Sequence, residues 1–203
     1  VADAGFPGDD PNVRGSGNDA ADAWIDPEML AGVRRRDSKS LAVFFEVAFP
    51  YVYNLAFRLT GNREAAEDIS QDVFVKIYQA ADRLRLDRHP KPWITAITYN
   101  ACRDAARRSA VRSETPEDPA EIGERSGESA TPEDIMVRKE RDALTQEALL
   151  GLDAESRTVV ILHDFCHMAH EDIARIMEAG HAAVRKRYSR ALKRMAEIIK
   201  GLQ

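Results

Sequence analysis

Residues 171–195 read EDIARIMEAGHAAVRKRYSRALKRM, and the reading of this stretch decides the fold. Glu171 to Met177 and Ala182 to Met195 are two short amphipathic patterns around the tight turn Glu178-Ala179-Gly180-His181. Ile173, Ala174 and Met177 share one side of the first pattern, while Val184, Tyr188, Ala191 and Met195 repeat at helical spacing in the second. Each pattern therefore predicts a helix with one inward stripe. The outer side of the second carries Arg185, Lys186, Arg187, Arg190, Lys193 and Arg194. A basic amphipathic helix alone is usually a solvated face. Preceded by a short helix and a tight turn, it outlines a helix-turn-helix, whose second helix fits the DNA major groove. Gly180 is the expected source of the turn's positive φ angle.

Upstream, the helical periodicity continues. Asp153 is placed to cap a helix from Ala154 to about Cys166, and Val137 to Leu150 forms another. Residues 109–136, with Pro116, Pro119 and Pro132 among acids, Ser and Gly, predict a flexible acidic linker. Before it, Trp93 to about Arg108 turns Ile94, Ile97, Ala101 and Ala105 inward. Arg63 to Ala80 does the same with Ala66, Ile69, Val73 and Ile77, and its other side carries Glu64, Glu67, Asp68, Gln71 and Asp72. Gly61 and Asn62 end one helix and cap the next. The apolar series from Leu41 to Leu59 is interrupted by Pro50, which predicts a new helix or a kink. A first helix starts at Asp26-Pro27, with Met29, Leu30 and Val33 on one face. Residues 1–25 have too few periodic apolar positions to offset the entropy of ordering and are expected to be disordered. No period-2 run argues for a sheet. The expectation is an all-α chain of two small helical modules, 26–108 and 137–203.

Composition fits that division. A chain of 203 residues holds one or two small domains. The net charge of -5 conceals a segregation. Acids crowd into the first 28 residues and into Glu114–Asp134, while cations cluster at Arg103–Arg112 and Arg185–Arg194. Local basic stripes, rather than the average, are what meet phosphate. Two cysteines, Cys102 and Cys166, imply no disulfide framework and suit a reducing cytoplasm. No apolar run is expected to reach membrane-spanning length, and no signal-peptide pattern opens the sequence. The absence of a Gly-rich phosphate loop or a nucleophile–base arrangement argues against an enzyme and against a cofactor. His163, Cys166, His167 and His170 stand at i, i+3, i+4 and i+7, which on a continuous helix would converge on zinc or a redox metal. A helix break before His170 leaves instead surface histidines and a buried thiol, and no metal is expected.

Several strings together carry a family resemblance. They are Leu55-Ala56-Phe57-Arg58-Leu59-Thr60-Gly61-Asn62, then Ala66-Glu67-Asp68-Ile69-Ser70-Gln71-Asp72-Val73-Phe74, then Pro92-Trp93-Ile94 with Asn100 and Asp104, then the helix-turn-helix. In this order and spacing the chain resembles the sigma-70 family of RNA polymerase sigma factors, in the compact extracytoplasmic-function (ECF) group that keeps regions two and four. The resemblance implies a factor that binds core RNA polymerase through the beta-prime clamp helices and the beta subunit, recognises promoter DNA and helps melt it. Glu67, Asp68, Gln71 and Asp72 would dock on the polymerase. Asn100, Arg103, Arg107 and Arg108 would meet the minus-ten element, and Arg185, Lys186, Arg187 and Arg190 the minus-thirty-five element. Among these an Arg fork suits guanine, which favours Arg185 for base readout. Trp93 reads as a core anchor.

An anti-sigma factor is the regulator that the resemblance implies. The chain departs from the family pattern at Pro90, at Thr98-Tyr99, at Ala169 in place of a Ser cap, and at Glu178 in place of the turn's usual Gly. Two other readings remain open at the level of sequence: a stand-alone helix-turn-helix regulator, and a sigma-like adaptor without promoter recognition.

Overall fold

The computed structural model describes residues 26–112 and 132–202, and side chains over 26–108 and 140–202. The expectation of a disordered tail over 1–25 falls outside the described residues, as does 113–131 of the linker expected over 109–136; the two ends of that expected linker are instead helical, 109–112 continuing α4 and 132–136 opening α5. The chain is all-α: α1 (Pro27–Arg34), α2 (Ser38–Thr60), α3 (Arg63–Gln79), a 3-10 turn (Ala81–Arg83), α4 (Lys91–Arg112), α5 (Pro132–Leu150), α6 (Ala154–Val160), a π-helical turn (Ile161–Phe165), α7 (His170–Ile176) and α8 (His181–Leu202).

Local chemistry sets the boundaries. Asp26 accepts a hydrogen bond from the Glu28 amide (3.2 Å), with Pro27 in the first turn of α1, and Asp37 accepts from the Ser40 amide (2.9 Å) at the start of α2. Helix α2 ends at Gly61, whose φ of 72° places it in the left-handed region and whose amide donates to Phe57 O at 2.7 Å. Asn62 then caps α3 by accepting from the Ala65 amide at 2.8 Å. Pro50 does not start a new helix, the first of the two expected outcomes; α2 runs on through it from Ser38 to Thr60. A proline in mid-helix costs about 3 kcal/mol. Phe44, Val52 and Leu55 are each fully buried along the same helix, and burying such side chains contributes roughly 1.5–3 kcal/mol apiece. One continuous helix therefore wins.

A second expectation is corrected in the same element. Helix α2, 23 residues long, is long and apolar enough by length and composition to cross a membrane. Glu46, Pro50 and Asn54 interrupt the run in sequence, but a helix of this length averages over them. Its apolar side is already occupied, because Phe44, Ala48, Val52, Ala56 and Phe57 sit in the first core with Val33, Ile69, Val73, Ile77 and Ile94.

The second core takes Val159, Ile161, Leu162, Ile173, Val184 and Ala191 from the C-terminal helices, and also Leu55, Ala96 and Tyr99 from α2 and α4. The two sets of helices thus share side chains. They also share backbone bonds. The last carbonyls of any helix lack intrahelical partners, and here Leu59 O accepts from Arg157 Nη1 (3.0 Å); Phe57 O, already bonded to the Gly61 amide, also accepts from Gln146 Nε2 (3.4 Å). A Cβ on Gly61 would meet Leu150 Cδ2 at 2.5 Å, so a larger residue at the α2–α3 corner would have to displace the Leu150 side chain of α5 and hold a left-handed φ. The Tyr51 and Phe165 rings stack at 6.3 Å, and the Arg58 guanidinium lies 4.5 Å from the Phe165 ring.

Candidate protein and nucleic-acid interfaces

Asp153 accepts from the Ser156 amide (2.9 Å) and caps α6 as expected. The helix then widens: the Cys166 amide bonds Ile161 O (3.0 Å), and His167 takes a φ of 55°. The chain re-enters as α7 at Ala169, an N-cap with no side-chain bond. After Met177 the left-handed residue is Glu178 (φ 53°), with Ala179 N–H bonded to Ala174 O at 2.9 Å. This corrects the expectation for Gly180, which does not have a positive φ. The first position past a helix C-cap is where the reversal has to occur, and that position is Glu178.

Helix α8 sorts its cations by angle. Lys186, Arg187, Arg190 and Arg194 line a cleft of about 650 Å³ whose other wall is Gly151, Leu152, Asp153 and Ser156. Lys186, Arg190 and Arg194 follow one another at i, i+4 and i+8, which puts them on one flank. Arg187 is half-buried and ion-paired with Glu155, so it ties α8 to α6. Arg185 is exposed and does not line the cleft. Of the four minus-thirty-five candidates, three are therefore brought together and one stands apart. Arg194, not among those candidates, joins the cleft while pairing with Glu197 (2.9 Å). Its spacing from Lys186 was the available signal.

On α4, Asn100, Arg103 and Arg107 at i, i+3 and i+7 share a stripe. Asn100 and Arg107 are exposed; Arg103 is half-buried, 3.6 Å from Glu178 Oε1 and 5.8 Å from the Tyr99 ring. Arg108 turns to α3 and pairs with Asp72 at 3.6 Å. The minus-ten candidates thus divide between a free stripe and internal pairs. Glu67, Asp68, Gln71 and Asp72 are all exposed along α3. Trp93 packs against the first core with its indole Nε1 buried and unpartnered.

The four residues weighed for a metal point different ways. Cys166 is buried beside Tyr51 and Thr95, and desolvation pushes its thiol up to about 11. His167 is exposed. His163 donates from Nδ1 to Met168 O (2.9 Å), and its ring meets that of His170 at 4.3 Å. Among the described residues, no group of three or more His, Cys, Asp or Glu is placed to hold a metal. Instead the two imidazoles flank Tyr188 of α8, at 4.5 and 5.1 Å between ring centres. Tyr188 donates to Asp164 at 2.8 Å, and burial, then that bond, pushes its hydroxyl up to about 12.

Two family models match this chain: Sigma-70 region 2 over residues 44–112 and Sigma-70, region 4 over residues 143–195. Similar proteins include the RNA polymerase sigma-H factor of Pseudomonas aeruginosa, 26% identical over 185 residues, covering 87% of this chain and 95% of that one. The ECF RNA polymerase sigma factor SigE of Mycolicibacterium smegmatis is 30% identical over 150 residues, or 73% of this chain and 57% of SigE. The ECF RNA polymerase sigma factor SigW of Bacillus subtilis is 24% identical, covering 86% and 97%. In fold, the chain is similar to CnrH solved with the cytosolic domain of CnrY (TM-score 0.59, 20% identity, covering 87% and 97%). It is also similar to the sigma factor RpoE solved with the anti-sigma factor NepR from Bartonella quintana (TM-score 0.61, 21% identity, covering 80% and 98%).

Proposed function

The chain belongs to the sigma-70 family, as an RNA polymerase sigma factor of the ECF group, and on that footing we propose how its faces divide the work of initiation. It binds core RNA polymerase and directs promoter recognition and melting. The exposed run Glu67, Asp68, Gln71 and Asp72 on α3 offers carboxylates and an amide to basic groups of the beta-prime clamp helices. Asn100 and Arg107, with Arg103 and Arg108 once released from Glu178 and Asp72, address the minus-ten strand. Lys186 and Arg190, with Arg187 once released from Glu155, grip the minus-thirty-five duplex from one flank of α8, and Arg185 reads base edges from the other. Melting proceeds by binding the opened strand, without covalent chemistry, so the protein works in the cytoplasm as a non-enzymatic factor. Its inhibitor is an anti-sigma factor; support comes from the two similar structures, in which CnrH is bound to the cytosolic domain of CnrY and RpoE to the anti-sigma factor NepR.

The observation that carries this division is the separation of an acidic face on α3 from basic stripes on α4 and α8. It also implies a motion. The two promoter elements lie about 25 base pairs apart, some ~85 Å of B-form DNA at 3.4 Å per step, whereas Arg103 sits 3.6 Å from Glu178 of the helix-turn-helix. Helices α1–α4 and α5–α8 must part to reach both.

Titration of core polymerase with labelled protein, followed by footprinting of the holoenzyme, tests the assignment. Asp68→Arg/Asp72→Arg is expected to weaken core binding at least tenfold. Arg185→Ala/Arg190→Ala is expected to leave core binding intact and erase the upstream footprint. Equal core affinity for the first pair and wild type would refute the role given to α3.

A further inference from the structure

Three rings meet where the helix-turn-helix is held together: His163 from the π-helical turn, His170 from the start of α7 and Tyr188 from α8. The two imidazoles are 4.3 Å apart between centres, and each meets Tyr188 edge to face, at 84° and 72° between planes. On α8, His181, Arg185 and Tyr188 follow one another at i, i+4 and i+7. The cluster therefore lies on the Arg185 flank of the helix, away from the cleft lined by Lys186, Arg190 and Arg194. His170 is poorly placed to carry a charge. It faces His163 from the π-helical turn and His181 and Arg185 from α8, with Asp164 as the carboxylate that opposes them. Asp164 Oδ1 already accepts the Tyr188 hydroxyl at 2.8 Å, and Glu171 of α7 is paired with His181 at 3.7 Å. Most telling, His170 Nε2 is buried without a hydrogen-bond partner. A second proton on this ring leaves a buried, charged donor unpaired, which is far costlier than a neutral ring in the same place.

We propose that this cluster is a proton-operated switch on promoter contact: charging His170 unseats Tyr188, and the Arg185 flank of α8 loses its set against the upstream element. The proposal rests on the role given to α8 above and adds its regulation. With His170 neutral, the three rings pack and α8 is held in place against α7. With His170 charged, the cation stands beside Arg185 and finds an acceptor only by withdrawing from Tyr188 into water. Desolvation first, then His163, holds the pKa of the seated ring below its ordinary 6.5, so the released ring binds the proton more readily. Acid therefore favours release, and contact that needs the seated helix is complete above about pH 6.5 and weakens as the pH falls below it.

The test uses holoenzyme assembled from core polymerase and the full chain, on a promoter duplex selected from a random library by the wild type at pH 7.5. Protection of the upstream element is titrated at pH 7.5 and 5.5 for wild type, His170→Gln and His167→Gln, the last replacing an exposed histidine outside the cluster. At pH 7.5 the three are expected to match. At pH 5.5 wild type and His167→Gln are expected to lose about fivefold in upstream affinity relative to His170→Gln. Equal losses in all three, or protection by the wild type that strengthens in acid, overturn the switch. If His170→Gln does not fold, the ring resonances of His170 and Tyr188 in the wild type decide. They are expected to shift together between pH 7.5 and 5.5, and a Tyr188 ring indifferent to pH overturns the proposal. Upstream protection by Arg185→Ala/Arg190→Ala equal to wild type at pH 7.5 would instead remove the role of α8, and the switch with it.

Discussion

Arg157 holds four backbone carbonyls with one guanidinium: Leu149 O at 3.0 Å, Leu150 O and Leu152 O at 3.2 Å, and Leu59 O at 3.0 Å. A planar fork with five donors suits that task, and Lys would not replace it. Nothing in the sequence marks Arg157, because carbonyl partners leave no pattern among side chains. His170 is a second such residue. Desolvation first, then the nearby His163, His181 and Arg185, lowers its pKa from 6.5, and its Nε2 is buried without a partner. At the start of α7 the helix dipole also disfavours a cation. The sign follows from linkage: the unfolded chain binds the proton more readily, so full stability is present above about pH 6.5 and is lost as the pH falls toward the lower folded value. Thermal melts at pH 7.5 and 5.5 should show a larger loss for the wild type than for His170→Gln. Equal losses would mean that His170 is not coupled to the fold.

At the scale of the element, most helices were legible because their caps and stripes agree. Asp26, Asp37, Asn62 and Asp153 all cap where their types suggest. Ala66, Ile69, Val73 and Ile77 are all buried, as their spacing requires. The misses have physical causes. Pro50 is tolerated because packing outweighs propensity, and the π-helical turn at Ile161–Phe165 arises where the chain must reach Met168 and α7 rather than from any residue preference visible in ILHDF. The turn of the helix-turn-helix keeps two local costs, an uncapped N-terminus at Ala169 and a left-handed Glu178. Ala169→Ser and Glu178→Gly are each expected to stabilise the protein by about 1 kcal/mol, read as a higher urea midpoint at unchanged slope. The Arg103–Glu178 pair, open to solvent at Glu178, offsets little of that. A lower midpoint for Glu178→Gly would show that the pair outweighs the strain.

For the whole molecule, what the sequence hid is the packing of one set of helices on the other. Leu55 reads as an ordinary core position of its own helix, and Ala96 and Tyr99 fall outside the inward stripe expected for α4, yet all three are buried in the core shared with α5–α8. The candidate sites were legible as charge, but their grouping was not. Arg187 and Arg108 are spent on internal pairs with Glu155 and Asp72, and the stacking of Phe49 of α2 on Phe74 of α3 at 6.2 Å depends on a pairing of helices that no single periodicity reveals. The central claim is that this sigma factor parts its two sets of helices in order to span a promoter. The direct measurement is energy transfer between dyes on Lys39→Cys and Lys200→Cys, both at exposed positions. Native Cys102 and Cys166 are buried, with thiols pushed up to about 12 and 11, and stay unlabelled. The account predicts efficient transfer in the free protein and a steep fall when core polymerase and promoter DNA are added. Undiminished transfer in a complex that still initiates transcripts would contradict it.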